Sequence, residues 1–307
     1  MSIKLFKVFM SPTVGWKVQE TLYSGFIGQG QKVNDFETDI SNFLGCENVL
    51  TLNSATSALH LALHLINNDN RDEVLCTPLT CTASNFPVVL NGFKIKWVDV
   101  DSERLTMDLK DLESKITPST KAIMLVLWGG YPIDFIELQN ILDRAEAKNG
   151  YRPFVILDGA HSFGSQFNGK NISEYADITC YSFQAIKHIT TVDGGCMVIK
   201  DKELYRRAKL LRWYGIDREN PKTAMRCEDD IPEVGFKFHM NDVNATIGIE
   251  NLKHAADIVS KHIANATFYD ANINNKYVTL LSRDSRCKSA TWIYTILVEH
   301  RELFIKH

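Results

Sequence analysis

Residues 182–195 read SFQAIKHITTVDGG. An apolar run, Ile178 to Phe183, leads into this stretch, and a glycine pair opens a second run, Cys196 to Ile199, on its far side. Short continuous apolar runs bounded by turn residues read as buried strands. Between the two stands one ammonium group, Lys187, followed by His188 and two threonines. Burial penalises the charged form of a lysine, so its place at the edge of a core needs a chemical reason.

Runs of the same kind occur upstream at Val49–Leu52, Val74–Thr77, Lys94–Val100, Ala122–Leu127 and Phe154–Leu157. Helical spacing fills most of the gaps: Lys32–Leu44, Ala55–Ile66, Ser84–Asn91, Leu109–Ile116 and Phe135–Lys148. The strand runs do not alternate in polarity, which predicts cover on both faces. Strands alternating with helices predict an α/β fold, a mostly parallel sheet in a three-layer sandwich. Beyond Ile199 the pattern changes. Residues 201–214 predict a helix, 216–234 a polar loop with two prolines, and the stretch from Met240 one long helix capped by Asn241 or Asp242. The expected division is an arm over 1–30, a large domain over 31–240 and a smaller C-terminal domain over 241–307. The last of these holds few elements, and we expect it to be shortened.

Composition excludes several classes of function. The 307 residues carry 34 Lys plus Arg against 37 Asp plus Glu, a net charge of −3, which gives no electrostatic case for nucleic acid or an anionic membrane. Seven cysteines, without a CxxC pair or a recognisable signal peptide, predict a reducing, cytoplasmic setting. No apolar stretch approaches membrane-spanning length, and no G-x-G-x-x-G or P-loop pattern follows the first strand.

Ligands of open α/β sheets gather at the carboxyl ends of the strands. After the first strand comes NSATSALHLAL, a helix start with Ser54, Thr56 and Ser57 beside free N–H groups, suited to phosphate; an ordinary Ser/Thr cap has the same composition. Asp158 follows four apolar residues directly and needs a cation or donors to remain charged. His161 lies three residues on. In this fold Thr56, Asp158, Ser182 and Lys187 converge on one edge. A phosphate cradle, a buried carboxylate and a desolvated amine together fit one cofactor, pyridoxal 5′-phosphate (PLP). No metal is implied.

The motifs NSATSALHLAL, DEVLCTPLTCTASNFPVVLNGFKIKWVDVD, LDGAHSFGSQFNGK, SFQAIKHITTVDGGCMV and GFKFHMNDVNATIG occur in this order. With them the chain, from about Gly28 onward, resembles the DegT/DnrJ/EryC1/StrS family of sugar aminotransferases. The resemblance implies the aspartate-aminotransferase-like (type I) PLP fold. It implies Lys187 as the catalytic Schiff-base lysine and proton shuttle, and Asp158 as partner of the pyridinium nitrogen. Ala55, Thr56 and Ser182 would hold the phosphate, with His161 beside the ring hydroxyl. Cys81 stands where the family often stacks an aromatic on the ring. The loop holding Lys237 and His239, where the family often has Asn and Arg, would reach the phosphate of a neighbouring subunit in a homodimer with shared active sites.

The function so implied is transfer of an amino group from L-glutamate to a nucleotide-linked keto sugar. Two alternatives stay open. One is a sugar 3-dehydratase, a branch in which histidine replaces the lysine. The other is an inactive regulatory relative that binds PLP or sugar. LWGGYP at 127–132 stands at a strand end where it could touch the sugar, and SGFIGQG at 24–30 could approach a neighbouring active site; both read equally as turns, and Arg206, Arg207 and Arg212 as a solvated helix face.

Overall fold

The structure is a computed structural model that describes residues 5–219 and 230–307. The polar loop expected over 216–234 lies partly, and Cys227 wholly, outside the described residues. Along the large sheet-forming part run strands β1 (Val49–Leu52), β2 (Glu73–Cys76), β3 (Lys94–Trp97), β4 (Thr120–Val126) and β5 (Phe154–Asp158). A small pair follows, β6 (Gln166–Phe167) and β7 (Lys170–Asn171), then β8 (Ile178–Ser182) and β9 (Gly195–Ile199). The first helices are α1 (Val14–Tyr23), α2 (Gln31–Leu44), α3 (Ala55–Ile66), α4 (Thr82–Leu90), α5 (Leu109–Lys115), α6 (Phe135–Asn149) and α7 (Lys202–Leu211). The seven runs expected as strands all form, with ends moved by a residue or a few.

The central sheet has the order β1-β9-β8-β5-β4-β2-β3. Strand β9 is antiparallel to both β1 and β8, and every other pairing is parallel. Residues β1, β4, β8 and β9 are buried throughout. Their alternate side chains enter two separate cores, one on each face. Leu75, Ile123, Val155 and Cys196 pack with α2 and α6, whereas Val74, Met124, Ile156 and Met197 pack with α3. This two-sided burial is the physical reason the runs are unbroken apolar rather than alternating. Each fully buried aliphatic side chain contributes about 1.5–3 kcal/mol, so the sheet is a stiff platform for whatever stands at its ends.

The expected long helix from 241 is two helices, α8 (Asp242–Leu252) and α9 (Ala255–Asn272). The chain leaves helical geometry at His254 (φ −106°, ψ 0°), whose ring meets Phe9. The two helices have different work: α8 packs on α1 and α2 and is buried nearly all round, while α9 buries only Ala255, Val259 and Ala266. Asn241 is the N-cap of α8, accepting from the Asn244 N–H at 2.9 Å. Asp242 instead caps α2, taking the N–H groups of Gly30 (2.7 Å) and Val33 (3.2 Å).

The C-terminal stretch adds β10 (Val278–Leu280), β11 (Cys287–Lys288), β12 (Ile296–Val298) and α10 (Arg301–Lys306). Strand β10 pairs with β12, and β11 joins β6. No described helix is long and apolar enough to cross a membrane.

Candidate active site

The carboxyl ends of β1, β4, β5 and β8 open on one cavity of about 550 Å3. Of the residues expected from sequence, Ala55, Thr56, Cys81, Asp158, His161, Ser182 and Lys187 all line it. Lys237 does not. It is exposed, with its ammonium 3.6 Å from the centre of the Trp213 ring.

One wall is the start of α3. Ser54 caps the helix by accepting from the Ser57 N–H at 3.0 Å, and Ala55 and Thr56 present the first turn, whose N–H groups have no carbonyl one turn back. The helix can start here because β9 begins with glycine. A side-chain carbon at Gly195 would come within 2.5 Å of the Ala55 nitrogen.

The floor is the end of β5. Asp158 is 6% exposed and accepts from the Ser84 hydroxyl (2.6 Å) and the Ala160 N–H (3.0 Å). Burial still pushes its carboxyl above the usual range, against the pull of Ser84, Ala160 and Lys187. Two hydrogen bonds and a nearby amine do not fully offset desolvation here. Among the described residues no cation hydrogen-bonds to the carboxylate, and Lys187 acts on it only from a distance.

Lys187 sits on the turn between β8 and β9. Burial holds its amine down at about 8, although Asp158 and Cys81 oppose this. A substantial fraction of the amine is therefore neutral near pH 8, the form that attacks carbonyls. His161 accepts from the Gly129 N–H at its Nδ1 (3.3 Å), which leaves the proton on Nε2. Burial, then Lys187 and His188, push its pKa down to about 3, so the ring is neutral. The Ser182 hydroxyl accepts from the Gln184 N–H at 3.3 Å and keeps its own proton to donate.

Sequence reasoning missed Ser84 and Trp292, both on this cavity, which Trp128 of LWGGYP also lines. Trp292 stacks on His161 with ring centres 4.2 Å apart. It comes from the segment between β11 and β12. LWGGYP does make a turn, with Gly129 at φ +67° and Gly130 at φ +93°. It is also a dock: a side-chain carbon on Gly129 would meet the Ile293 carbonyl at 2.9 Å, and the Gly129 carbonyl accepts from the Trp292 N–H at 2.8 Å.

The profile of the DegT/DnrJ/EryC1/StrS aminotransferase family matches residues 14–307. The chain belongs to this family. It is 33% identical over 295 residues to the GDP-perosamine synthase of Escherichia coli O157:H7, covering 94% of this chain and 77% of that one. Among solved structures it is similar to the sugar aminotransferase CalS13 from Micromonospora echinospora, at 37% identity and a TM-score of 0.95, covering 99% of this chain and 83% of that one. It is also similar to Spr1654 from Streptococcus pneumoniae, solved in a PLP form, at 26% identity and a TM-score of 0.91, covering all of this chain and 82% of that one. The chain spans between 66% and 77% of the length of the first curated relatives it matches.

The cofactor of DegT/DnrJ/EryC1/StrS aminotransferases is pyridoxal 5′-phosphate, and the donor set of this cavity fits it. Asp158 is a buried acid short of a cation, and a protonated ring nitrogen is one. The α3 start with Ser182 offers N–H and hydroxyl donors to a dianion. Lys187 offers the amine an aldehyde requires.

Proposed function

We propose that this DegT/DnrJ/EryC1/StrS chain is a PLP-dependent transaminase that moves the amino group of L-glutamate to a nucleotide-linked keto sugar, working in the cytoplasm as a homodimer. The observation that carries the reading is Lys187, an amine brought down to about 8 in the same cavity as Asp158 and the start of α3. When bound, the cofactor supplies an aldehyde for amine exchange and a ring that accepts electrons.

The residues divide the remaining work. Ala55, Thr56 and Ser182 bind the phosphate. Asp158, held by Ser84 and the Ala160 N–H, keeps the ring nitrogen protonated. His161 donates from Nε2 to the ring hydroxyl. Lys187 would be the base that holds and moves the proton at the reacting carbon. Its depressed pKa suits this shuttle, because both forms are populated near pH 8. Lysine at this position supports transamination over dehydration.

Exposed Trp16, Leu22, Tyr23 and Phe26 on the N-terminal side, with Phe86, Val89 and Leu90 on α4, supply apolar surface for a second copy. In that assembly Lys237 serves the partner's phosphate as a point charge. Six free cysteines among the described residues support the cytoplasmic placement.

The test is nitrogen transfer. With PLP, L-glutamate labelled at its amine and a panel of nucleotide keto sugars, label should appear in one sugar and 2-oxoglutarate should form with it. Lys187→Ala should do neither. Label in no sugar, with glutamate unconsumed, would refute the reading.

A further inference from the structure

The three residues around the reactive amine are held by a single segment distant in sequence. The Trp292 indole N–H donates to the Ile186 carbonyl at 2.8 Å. The Lys187 ammonium lies 3.5 Å from the centre of the Trp292 ring. His188 donates from Nε2 to the Ala290 carbonyl at 3.0 Å. The same segment is tied at its back: His262 of α9 donates to the Thr291 carbonyl (3.1 Å), and the Trp292 N–H goes to Gly129. Trp292 thus contacts 186 and 187, and Ala290 contacts 188. Lysine has four rotatable side-chain bonds and a strongly hydrated head, so nothing in its own chain fixes where the amine points.

We propose that Trp292 is a positioning residue for Lys187, holding the free amine against its indole face and fixing the backbone before it, so that the segment ahead of β12 controls how the amine is presented to the cavity. This rests on Lys187 being the reactive amine of the proposed function. An ammonium over an indole face is attracted by the ring quadrupole, which favours the charged form. The indole therefore opposes burial. Asp158 at the end of β5 and Cys81 at the start of α4 act in the same direction as the indole, while His161 and His188 are neutral neighbours. Asp193 lines the cavity from the lysine's own loop.

The test uses the cofactor-free full chain and reads the amine itself. Lys187 is labelled with acetic anhydride across a pH series, and its peptide is quantified by mass spectrometry. Trp292→Leu keeps apolar bulk but removes the π face; Trp292→Phe keeps a smaller face and removes the indole N–H with its ring. The Leu variant should move the labelling midpoint down by about half to one pH unit. The Phe variant should recover most of that shift. An unchanged midpoint in the Leu variant, or equal shifts in both, would overturn the proposal. Thermal unfolding checks that the variants fold, and Trp292→Met replaces Leu if it does not. Failure of the wild-type chain to capture PLP would count against the proposed function and leave the labelling result standing, so the two failures are distinguishable.

Discussion

Ser84 donates its hydroxyl to Asp158 Oδ2 across 2.6 Å, joining the first turn of α4 to the end of β5. Thr80 lies 2.6 Å from the same hydroxyl and steadies it. The bond holds charge on a carboxylate that burial drives towards its neutral form. Ser84→Ala leaves Asp158 with the Ala160 N–H and a larger bias to protonation. A hydrogen bond to a charged group is worth about 1.5–3 kcal/mol, so PLP affinity should fall by about tenfold or more. Titration of the visible absorption of bound cofactor checks this.

Lys187 carries a stability consequence with a definite sign. Its folded pKa is about 8, below its ordinary 10.5, so between these values the unfolded chain binds more protons. In the cofactor-free protein, stability from this group rises as pH climbs from about 8 to about 10.5. Below pH 8 the full desolvation cost is present. Lys187→Met should therefore raise the melting temperature at pH 7, with the gain shrinking towards pH 10. Calorimetry at both pH values measures it, and a gain that does not shrink would contradict the account.

Val192 adopts φ +74°, a left-handed conformation that is strained for a β-branched residue. The turn is held there by side chains. The Val192 N–H goes to Thr190 Oγ1 at 2.8 Å, and Asn244 donates to the carbonyls of Thr191 and Asp193. The valine side chain is half exposed. Relief of about 1–2 kcal/mol of left-handed strain outweighs the chain entropy of glycine, about 0.5–1 kcal/mol. Val192→Gly should stabilise the protein by up to about 1 kcal/mol, read from urea denaturation.

Gly195 has the opposite requirement, since its neighbour is backbone rather than space. Gly195→Ala should cost about 1–3 kcal/mol through overpacking and push the α3 start out of line. Urea denaturation and weaker PLP binding should report it together.

Much of the cavity is visible in sequence because each of its parts follows a strand. Asp158 ends an apolar run, Ser54 opens an apolar helix, and Lys187 breaks two strands. Ser84 and Trp292 were not visible, because their meaning comes from contacts across 74 and 106 residues respectively. Such pairs leave no periodicity. The break between α8 and α9 was missed for a related reason: neither proline nor glycine marks His254, and only the different surroundings of the two helices separate them. Gly129 and Gly130 were seen as a turn, yet their lack of side chains also serves the docking of Thr291 to Ile293.

The most direct measurement is the absorption spectrum of the purified chain with PLP, recorded before and after L-glutamate, beside Lys187→Ala. The account predicts a visible band that glutamate bleaches and that the variant never forms. A wild-type spectrum that is only that of free PLP, or a band equally strong in the variant, would contradict it.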